Sequence, residues 1–390
     1  MRTRASLLLT ALLFIPLAAP LAADLSDAEK PRVTSSAFAA METARSSSKG
    51  LLVLMFPAYV GFEGGQQGWM QEMLANGPTK MQSYGAWIAD RYKNQKNLVW
   101  MEGGDKGSFT TDQINVENGL LNGLRSVASQ QSVEFSAEWD SEMIATDQTQ
   151  FGSLMTLNGV YSWSGVVSTH GRRAYAHAPT LPAYLLEEPY DEEGPDGNNY
   201  NPSATQPVRR FQWWGWLSTI GGYISGNGYV WQFNPGWQSH LNTQGAQDMA
   251  RLNAFMRSIA WYNLVPSGLG GMRTLITAGG GEDSASDYVA AAATPDGSLL
   301  IAYIPPAQTG SITVDMAALR GRVRARWFDP TRGAFVDAGN GLANTGQRVF
   351  TPPGINSAGQ SDWVLVLDLA TRQPRMRPLR WRPHAWAQWR

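Results

Sequence analysis

An α/β domain built on a parallel sheet, followed by a small all-β domain, is predicted by three features of this chain. The run Leu98 to Met101 is short, apolar and followed by Glu102, Gly103, Gly104 and Asp105. Such a run suits a strand buried on both faces, ending where a ligand or another backbone comes close. The run Ala183 to Leu186 likewise stops on Glu187 and Glu188, and Pro189 forbids continuation as a central strand. Further on, short alternating segments with turn signals at Pro295-Asp296-Gly297, Gly310-Ser311 and Thr331-Arg332-Gly333 read as a β-sandwich.

Taken in order, the 390 residues divide into four parts. Residues 1–23 have the form of an export signal: Arg2 and Arg4, an apolar run from Ala5 to Ala19, then Ala22-Ala23 before Asp24. That run is too short, and too soon followed by Asp24, Asp27 and Glu29, for a membrane span. Residues 24–272 form the α/β domain, with Gly270-Gly271 and Gly279 to Gly281 marking the linker, and residues 273–370 the sandwich. Residues 371–390 carry Pro374, Pro378, Pro383, Trp381, Trp386 and Trp389 among six Arg without periodicity, the composition of a disordered tail. Contact with anionic polysaccharide or a membrane is the alternative reading of the tail.

The formal net charge is −1. Arg2 and Arg4 contribute +2 and the tail +6, leaving −9 for the globular body, which argues against a nucleic-acid partner. With no Cys in the chain, disulfides and thiolate metal sites are excluded, and localisation as a secreted or periplasmic bacterial protein is expected. His170, His177, His240 and His384 lack ligand spacing. No metal and no cofactor are expected; His170 and His240 are the two to look for near a pocket.

Acids at the ends of buried parallel strands are candidates for chemistry. Asp105 and Glu187 are one such pair, and glycoside hydrolysis uses two carboxyl groups, one as acid and one as nucleophile or base. With 32 Asp and Glu in the chain, the pair alone is weak evidence; Asp105 also suits the cap of the following helix. Sixteen Trp and thirteen Tyr offer flat faces on which sugar rings stack. Trp69, Trp139, Trp163, Trp213, Trp214 and Trp237 lie beside polar or small residues and are the platform candidates. Trp100, Trp231 and Trp261 sit in apolar runs that read as core.

Several segments together carry a family resemblance: Gly50 to Tyr59, Gly68-Trp69-Met70-Gln71-Glu72-Met73-Leu74, Arg91 to Asp105, Leu186-Glu187-Glu188-Pro189-Tyr190 and Gly228-Tyr229-Val230-Trp231. Over roughly residues 37–266 the chain resembles the apiosidase-like glycoside hydrolases. The remainder, with Trp327-Phe328-Asp329-Pro330-Thr331-Arg332-Gly333, resembles the collagen-binding-like β-domain often appended to them. The resemblance implies a (β/α)8 TIM-type barrel and a retaining glycosidase acting on polysaccharide or oligosaccharide, with Asp105 as acid/base and Glu187 as nucleophile. Furanosides such as apiosyl linkages are the implied substrates. Relatives show an apolar residue, Glu, a turn and then Tyr, which places Glu187 rather than Glu188 in the nucleophile position. Trp69, Glu102, Trp139, Trp163, Glu188, Tyr190 and Trp231 are the substrate-binding candidates. Glu102 replaces the apolar residue usual in relatives, so it either tunes Asp105 or needs a buried partner. Asp191, Glu192 and Glu193 read as a solvated loop, Asp191 with a possible sugar hydroxyl.

About 27 residues separate the expected cleavage site from the strand at Leu51, whereas two β/α units take about 60, judged from about 250 for eight. The barrel is therefore expected to lack its first two units. The long connection from Asp191 to Pro207 is expected to form a lid, a subsite wall or an uninvolved loop. A non-catalytic carbohydrate-binding or adhesion protein built on a degraded barrel is the competing reading, and an inactive fragment a third.

Overall fold

The computed structural model describes residues 9–10, 51–65, 67–95, 97–127, 133–163, 166–193, 208–231 and 233–370. The expected cleavage site at Ala23, the tail 371–390 and most of the Asp191 to Pro207 connection lie outside the described residues. Two four-stranded sheets make up the α/β part. The first has the order β1 (Leu9–Thr10), β2 (Leu51–Met55), β3 (Leu98–Gly103) and β4 (Glu134–Glu138), all parallel. The second runs β5 (Met143–Ile144), β6 (Asn158–Tyr161), β7 (Ala183–Glu187) and β8 (Ile220–Tyr223), parallel except for β5. They meet where the Leu157 N–H, just ahead of β6, donates to the Phe135 carbonyl of β4 at 2.9 Å.

Strand alternation sorts the apolar side chains into layers. Leu54, Val99, Met101, Tyr184, Leu186 and Ile224, drawn from both sheets, pack into one interior cluster. Leu98, Trp100, Phe135 and Ala137 face outward onto helices α1 (Met70–Arg91) and α2 (Thr111–Ser126). These helices pack closely because they meet through small residues: a Cβ on Gly123 would lie 2.1 Å from the Gln82 carbonyl oxygen, and one on Gly85 2.3 Å from that of Leu120. Helix α2 is capped by Thr110 and Gln113 in a capping box, so Asp105 is not the cap.

One outward position on β3 is an acid. Glu102 is 2% exposed and shares the sheet-helix layer with Glu117 of α2, 1% exposed. The two carboxyl groups bond to each other, which requires a shared proton. Burial pushes both up, Glu117 to about 7 despite the lowering effect of its bond to Glu102. Glu102 thus points at a helix, which corrects its assignment as a substrate-binding residue; the alternation of β3 decides this. Because the folded Glu117 value exceeds its ordinary 4.5, the stability this group contributes is complete below about pH 4.5 and is lost as pH rises toward 7. Chemical denaturation between pH 4.5 and 8 should show Glu117→Gln flattening this decline and raising stability at pH 8.

Downstream, helix α3 (Thr149–Gly152) is a single turn, and α4 (Val167–Tyr175), α5 (Arg209–Thr219) and α6 (Gln244–Arg257) back the second sheet. Among the described residues no helix is long and apolar enough to cross a membrane. The C-terminal part is antiparallel: β9 (Val265–Pro266), β11 (Ala290–Ala293), β12 (Leu299–Ile304), β14 (Val323–Asp329), β15 (Ala334–Leu342) and β17 (Trp363–Leu369) form a six-stranded sheet. Strands β10 (Ile276–Ala278), β13 (Ile312–Asp315) and β16 (Gln347–Phe350) form a three-stranded one. The two sheets share the core of Leu300, Val314, Trp327, Phe350 and Leu365.

The six-stranded sheet lays its other face on α5 and α6. Trp213 stacks on Tyr303 at 5.7 Å and 5°, and Phe255 meets Phe328 at 4.8 Å. All of α5 is buried, as a helix covered on both sides must be. Trp213 and Trp214 are each 1% exposed, which corrects their reading as sugar platforms: they are the contact between the two parts of the chain. Between Phe211 and Trp214 no periodicity separates a core ring from a surface one.

Candidate active site

Three carboxyl groups converge at the C-terminal strand ends. Oxygens of Asp105, Glu138 and Glu187 all lie within 4.8 Å of one another. Asp105 follows two glycines at positive φ, Gly103 at 79° and Gly104 at 123°, and itself has φ 49°. The glycines are obligatory. A Cβ on Gly103 would sit 2.2 Å from the Glu138 carbonyl oxygen, and one on Gly104 2.2 Å from the Tyr59 ring. This is the close approach that a Gly pair at a strand end implies. The approach lets Tyr59 donate to Asp105 Oδ2 at 2.6 Å.

Glu187 reaches the site through an irregularity in β7. Val160 pairs with Leu185 but Tyr161 pairs with Glu187, so one extra residue is inserted on β7. Ala183 and Leu185 face outward with the α5 layer, and simple alternation would send Glu187 the same way. The bulge turns it inward instead. Tyr190 donates to Glu187 Oε1, which places this sequence candidate at the site. Glu188 is 0% exposed and bonds toward Ser225 behind the strand. It is not part of the three-carboxyl group, which corrects its assignment as a substrate-binding residue.

Glu138 and Tyr161 were not anticipated from sequence, nor was Tyr59. The signal for Glu138 was available: Glu134-Phe135-Ser136-Ala137-Glu138 alternates strictly, with Phe135 and Ala137 on the helix side, so Glu138 must face the interior. Tyr161, at the end of β6, bonds to Asp105.

Burial is the first cause of the raised proton affinity of all three acids. Asp105 is pushed up by burial, against the hydrogen bonds of Tyr59 and Tyr161. Glu187 is pushed up to about 8 by burial and then by the charge of Asp105, against the Tyr190 hydrogen bond. Acids this close titrate as a set. The sequence shows no metal constellation, because these residues lie on three different strands; the fold makes a three-carboxylate group of a kind able to hold a cation.

Aromatic groups rim one side. Trp163 packs edge-on to Tyr190 at 5.3 Å, and Trp231 meets the same ring at 6.2 Å. Trp231 is 43% exposed, which corrects its reading as core and leaves it at the rim. Tyr229 stacks on His240 at 3.8 Å, and His240 Nδ1 lies 2.6 Å from Glu192. His170 bonds to Glu142 at 2.9 Å, and Glu142 in turn accepts from the Trp163 N–H. Asp191 accepts from Thr243, next to α6. Trp139 is 2% exposed, stacked on Phe151 at 5.5 Å and bonded to the Ala145 carbonyl; it is core, which corrects its assignment as a substrate-binding residue. Trp69 is half-buried, its ring packed against the helix layer, and its backbone N–H donates to the Tyr59 carbonyl at 2.8 Å.

The model of the apiosidase-like catalytic domain matches residues 37–263, and that of the collagen-binding-like domain named from a collagenase matches residues 273–368. No curated protein matches significantly. Among solved structures, one described as a glycoside hydrolase has 18% identity and TM-score 0.69, covering 87% of this chain and 78% of that one. A glycoside hydrolase family 5 protein from Bacteroides vulgatus ATCC 8482 has 16% identity and TM-score 0.70, covering 88% and 78%. At these identities the likeness is one of fold. The matched family spans more than half of the sequence and includes all three converging carboxyl groups; the chain belongs to the apiosidase-like catalytic-domain family and is a glycosidase.

Proposed function

We propose that this protein is an exported glycoside hydrolase that cleaves glycosidic bonds in plant or microbial polysaccharide, apiosyl or other furanosyl linkages among them, by a retaining mechanism on a (β/α)-type barrel. The observation that carries the reading is the approach of Asp105 to Glu187, with oxygens within 4.8 Å. Retaining enzymes hold their two carboxyl groups about 5–5.5 Å apart, whereas inverting ones leave about 6.5–9.5 Å for a water. The parallel strands β2, β3, β4, β6, β7 and β8, in two sheets whose strand ends bring the acids together, support the barrel reading, and the charged leader with its apolar run supports export.

In this mechanism the Glu187 carboxylate attacks the anomeric carbon while Asp105 gives its proton to the departing glycosidic oxygen. A glycosyl ester on Glu187 and a free alcohol result. Asp105, now a carboxylate, takes a proton from water, which attacks the anomeric carbon and frees Glu187. Tyr190 holds the nucleophile's orientation, while Tyr59 and Tyr161 hold that of the acid/base. Trp163 and Trp231, both packed on Tyr190, offer faces for neighbouring sugar rings.

The test is hydrolysis of a panel of polysaccharides and aryl furanosides by the purified chain, with the anomer of the first product read by NMR. Release of a sugar with retained configuration is expected; an inverted product, or no release from a cooperatively folded protein, overturns the reading. Because Glu187 must be ionised to attack and is held near 8, activity should fall as pH drops through a limb well above the ordinary glutamate value. A kcat/KM profile with its acidic limb near 4.5 would contradict the burial argument.

A further inference from the structure

We propose that Asp105, Glu138 and Glu187 form a binding site for a hard divalent cation of the Ca2+ class, and that the bound cation holds the chain in a resting state from which substrate displaces it. The site stands on geometry alone; its effect on hydrolysis rests on the two-carboxylate reading above. Acids gathered on a surface are common and need no ligand, but this group is buried and incompletely partnered. Glu138 is 1% exposed, and neither of its carboxyl oxygens has a hydrogen-bond partner; Glu187, 7% exposed, has none at Oε2. Buried carboxyl oxygens in folded proteins are bonded, and buried charges are paired or coordinate a metal. Glu138 finds no such partner in the protein, yet it is aimed into the group: an oxygen from each of the three acids lies within 4.8 Å of the other two.

The donor set selects the class of ion. Three carboxyl groups offer only oxygen, which suits Ca2+, Mg2+ and Mn2+ rather than metals that favour sulfur or imidazole. Ca2+ takes oxygens at about 2.3–2.6 Å in flexible geometry, so ligands on opposite sides of it stand about twice that apart; Mg2+ needs about 2.0–2.1 Å and a near-ideal octahedron. The spacing of up to 4.8 Å therefore favours the larger ion. Two of the ligands are already oriented from behind. Tyr59 donates to Asp105 Oδ2 at 2.6 Å, Tyr161 bonds to Asp105, and Tyr190 donates to Glu187 Oε1, the kind of outer partner that fixes a ligating carboxylate. The charges acting on Glu138 are those of Glu187 and Asp105, both of its own sign. Lys106, beside Asp105 in sequence, carries its ammonium to the Phe109 ring at 5.5 Å and the Glu63 carbonyl at 3.4 Å. Asp105 is only half-buried and gives the ion its way in.

Cation and hydrolysis exclude each other. A ligating carboxylate must be free of its proton, so Asp105 cannot hold the proton it gives to the leaving oxygen while it binds the ion. Glu187 likewise has its lone pair on the cation instead of the anomeric carbon. Substrate and cation therefore compete for one place, and the cation-free chain is the active one.

The test uses the full chain stripped with a chelator, and Tb3+ as the probe, an ion that takes Ca2+ sites and emits when nearby aromatic rings are excited. Tyr59, Tyr161 and Tyr190 bond to the ligating acids and should sensitise it. A single saturable Tb3+ signal is expected, displaced by Ca2+ more readily than by Mg2+, and added Ca2+ should raise Tm. Glu138→Gln should weaken both ions at least about tenfold. No sensitised emission and no Tm shift in wild type overturns the proposal, and so does binding undiminished in Glu138→Gln, which would put the ion elsewhere. Should Glu138→Gln fail to fold, Asp105→Asn, altering the half-buried ligand, decides in its place by the same two readouts. On hydrolysis, Ca2+ should raise KM and leave kcat unchanged, with EDTA reversing the effect. Unchanged KM, or a kcat that Ca2+ increases, overturns the resting state. Absence of hydrolysis by the stripped wild type, with Tb3+ bound as expected, would instead sink the underlying glycosidase mechanism and leave the cation site standing.

Discussion

Glu187→Gln is expected to lower kcat/KM by at least about 10³-fold, roughly 4 kcal/mol of transition-state stabilisation at 1.36 kcal/mol per decade. The amide has the shape of the acid and keeps an acceptor for Tyr190, which donates to Glu187 in the wild type, but it cannot form the ester bond. The fold should not suffer, because the lost group is a buried carboxyl, 7% exposed, pushed up to about 8 by burial. Its stability contribution declines as pH rises from the ordinary 4.5 toward 8, so Glu187→Gln should match or exceed wild-type stability at pH 8. Asp105→Asn should behave differently, losing activity on poor leaving groups and retaining much of it on aryl glycosides that depart without a proton. Added azide should restore turnover to a small Glu187 variant such as Glu187→Ala as a glycosyl azide of inverted configuration. Equal loss on all substrates, with no azide effect in either variant, would mean that the two acids do not divide the work as proposed.

Asp362→Ala is expected to destabilise the chain by about 3–5 kcal/mol, the usual result of removing one partner of a buried ion pair. Asp362 in the C-terminal sheet region is 0% exposed and takes a two-pronged bond from Arg209 of α5, also 0% exposed. Tyr303 at 2.9 Å and Asn356 at 2.8 Å complete its shell, and Asp248 of α6 meets Arg209 at 3.0 Å. Deleting Asp362 leaves the Arg209 guanidinium with only Asp248 and Gln360 as partners and takes the carboxylate from the Tyr303 and Asn356 donors in a dry interface. Because α5 presses Gly215 against Leu185 of β7, where a Cβ would come within 2.4 Å, loosening that interface also loosens the strand that presents Glu187. Asp362→Ala should therefore lower activity well below its melting temperature, and Asp362→Asn less so. Denaturant unfolding followed by Trp fluorescence, with activity at 25 °C alongside, checks both. A change under about 1 kcal/mol would mean that the interface is held by Trp213, Tyr303, Phe255 and Phe328 alone.

What the sequence determined by itself is local chemistry. Apolar runs bounded by Gly, Pro and acids place β3, β7 and their terminal Asp105 and Glu187, since a buried strand and its breakers are written in adjacent residues. The turns after β11 and β14 fall at Pro295-Asp296-Gly297 and Thr331-Arg332-Gly333 for the same reason. What only the tertiary structure decided is which side of each element faces what. Glu102 and Glu188 are the same residue type as Glu187, but one turns to Glu117 and the other behind the strand. The bulge in β7 that aims Glu187 breaks the very alternation from which its direction would be read. Trp139, Trp213 and Trp214 read like surface platforms until another layer covers them, and Trp231 reads like core until nothing does. Glu138 joins Asp105 and Glu187 only because three strands end together. Sequence sets the preferences of neighbours along the chain, whereas burial and charge coupling depend on residues brought together from far apart in it.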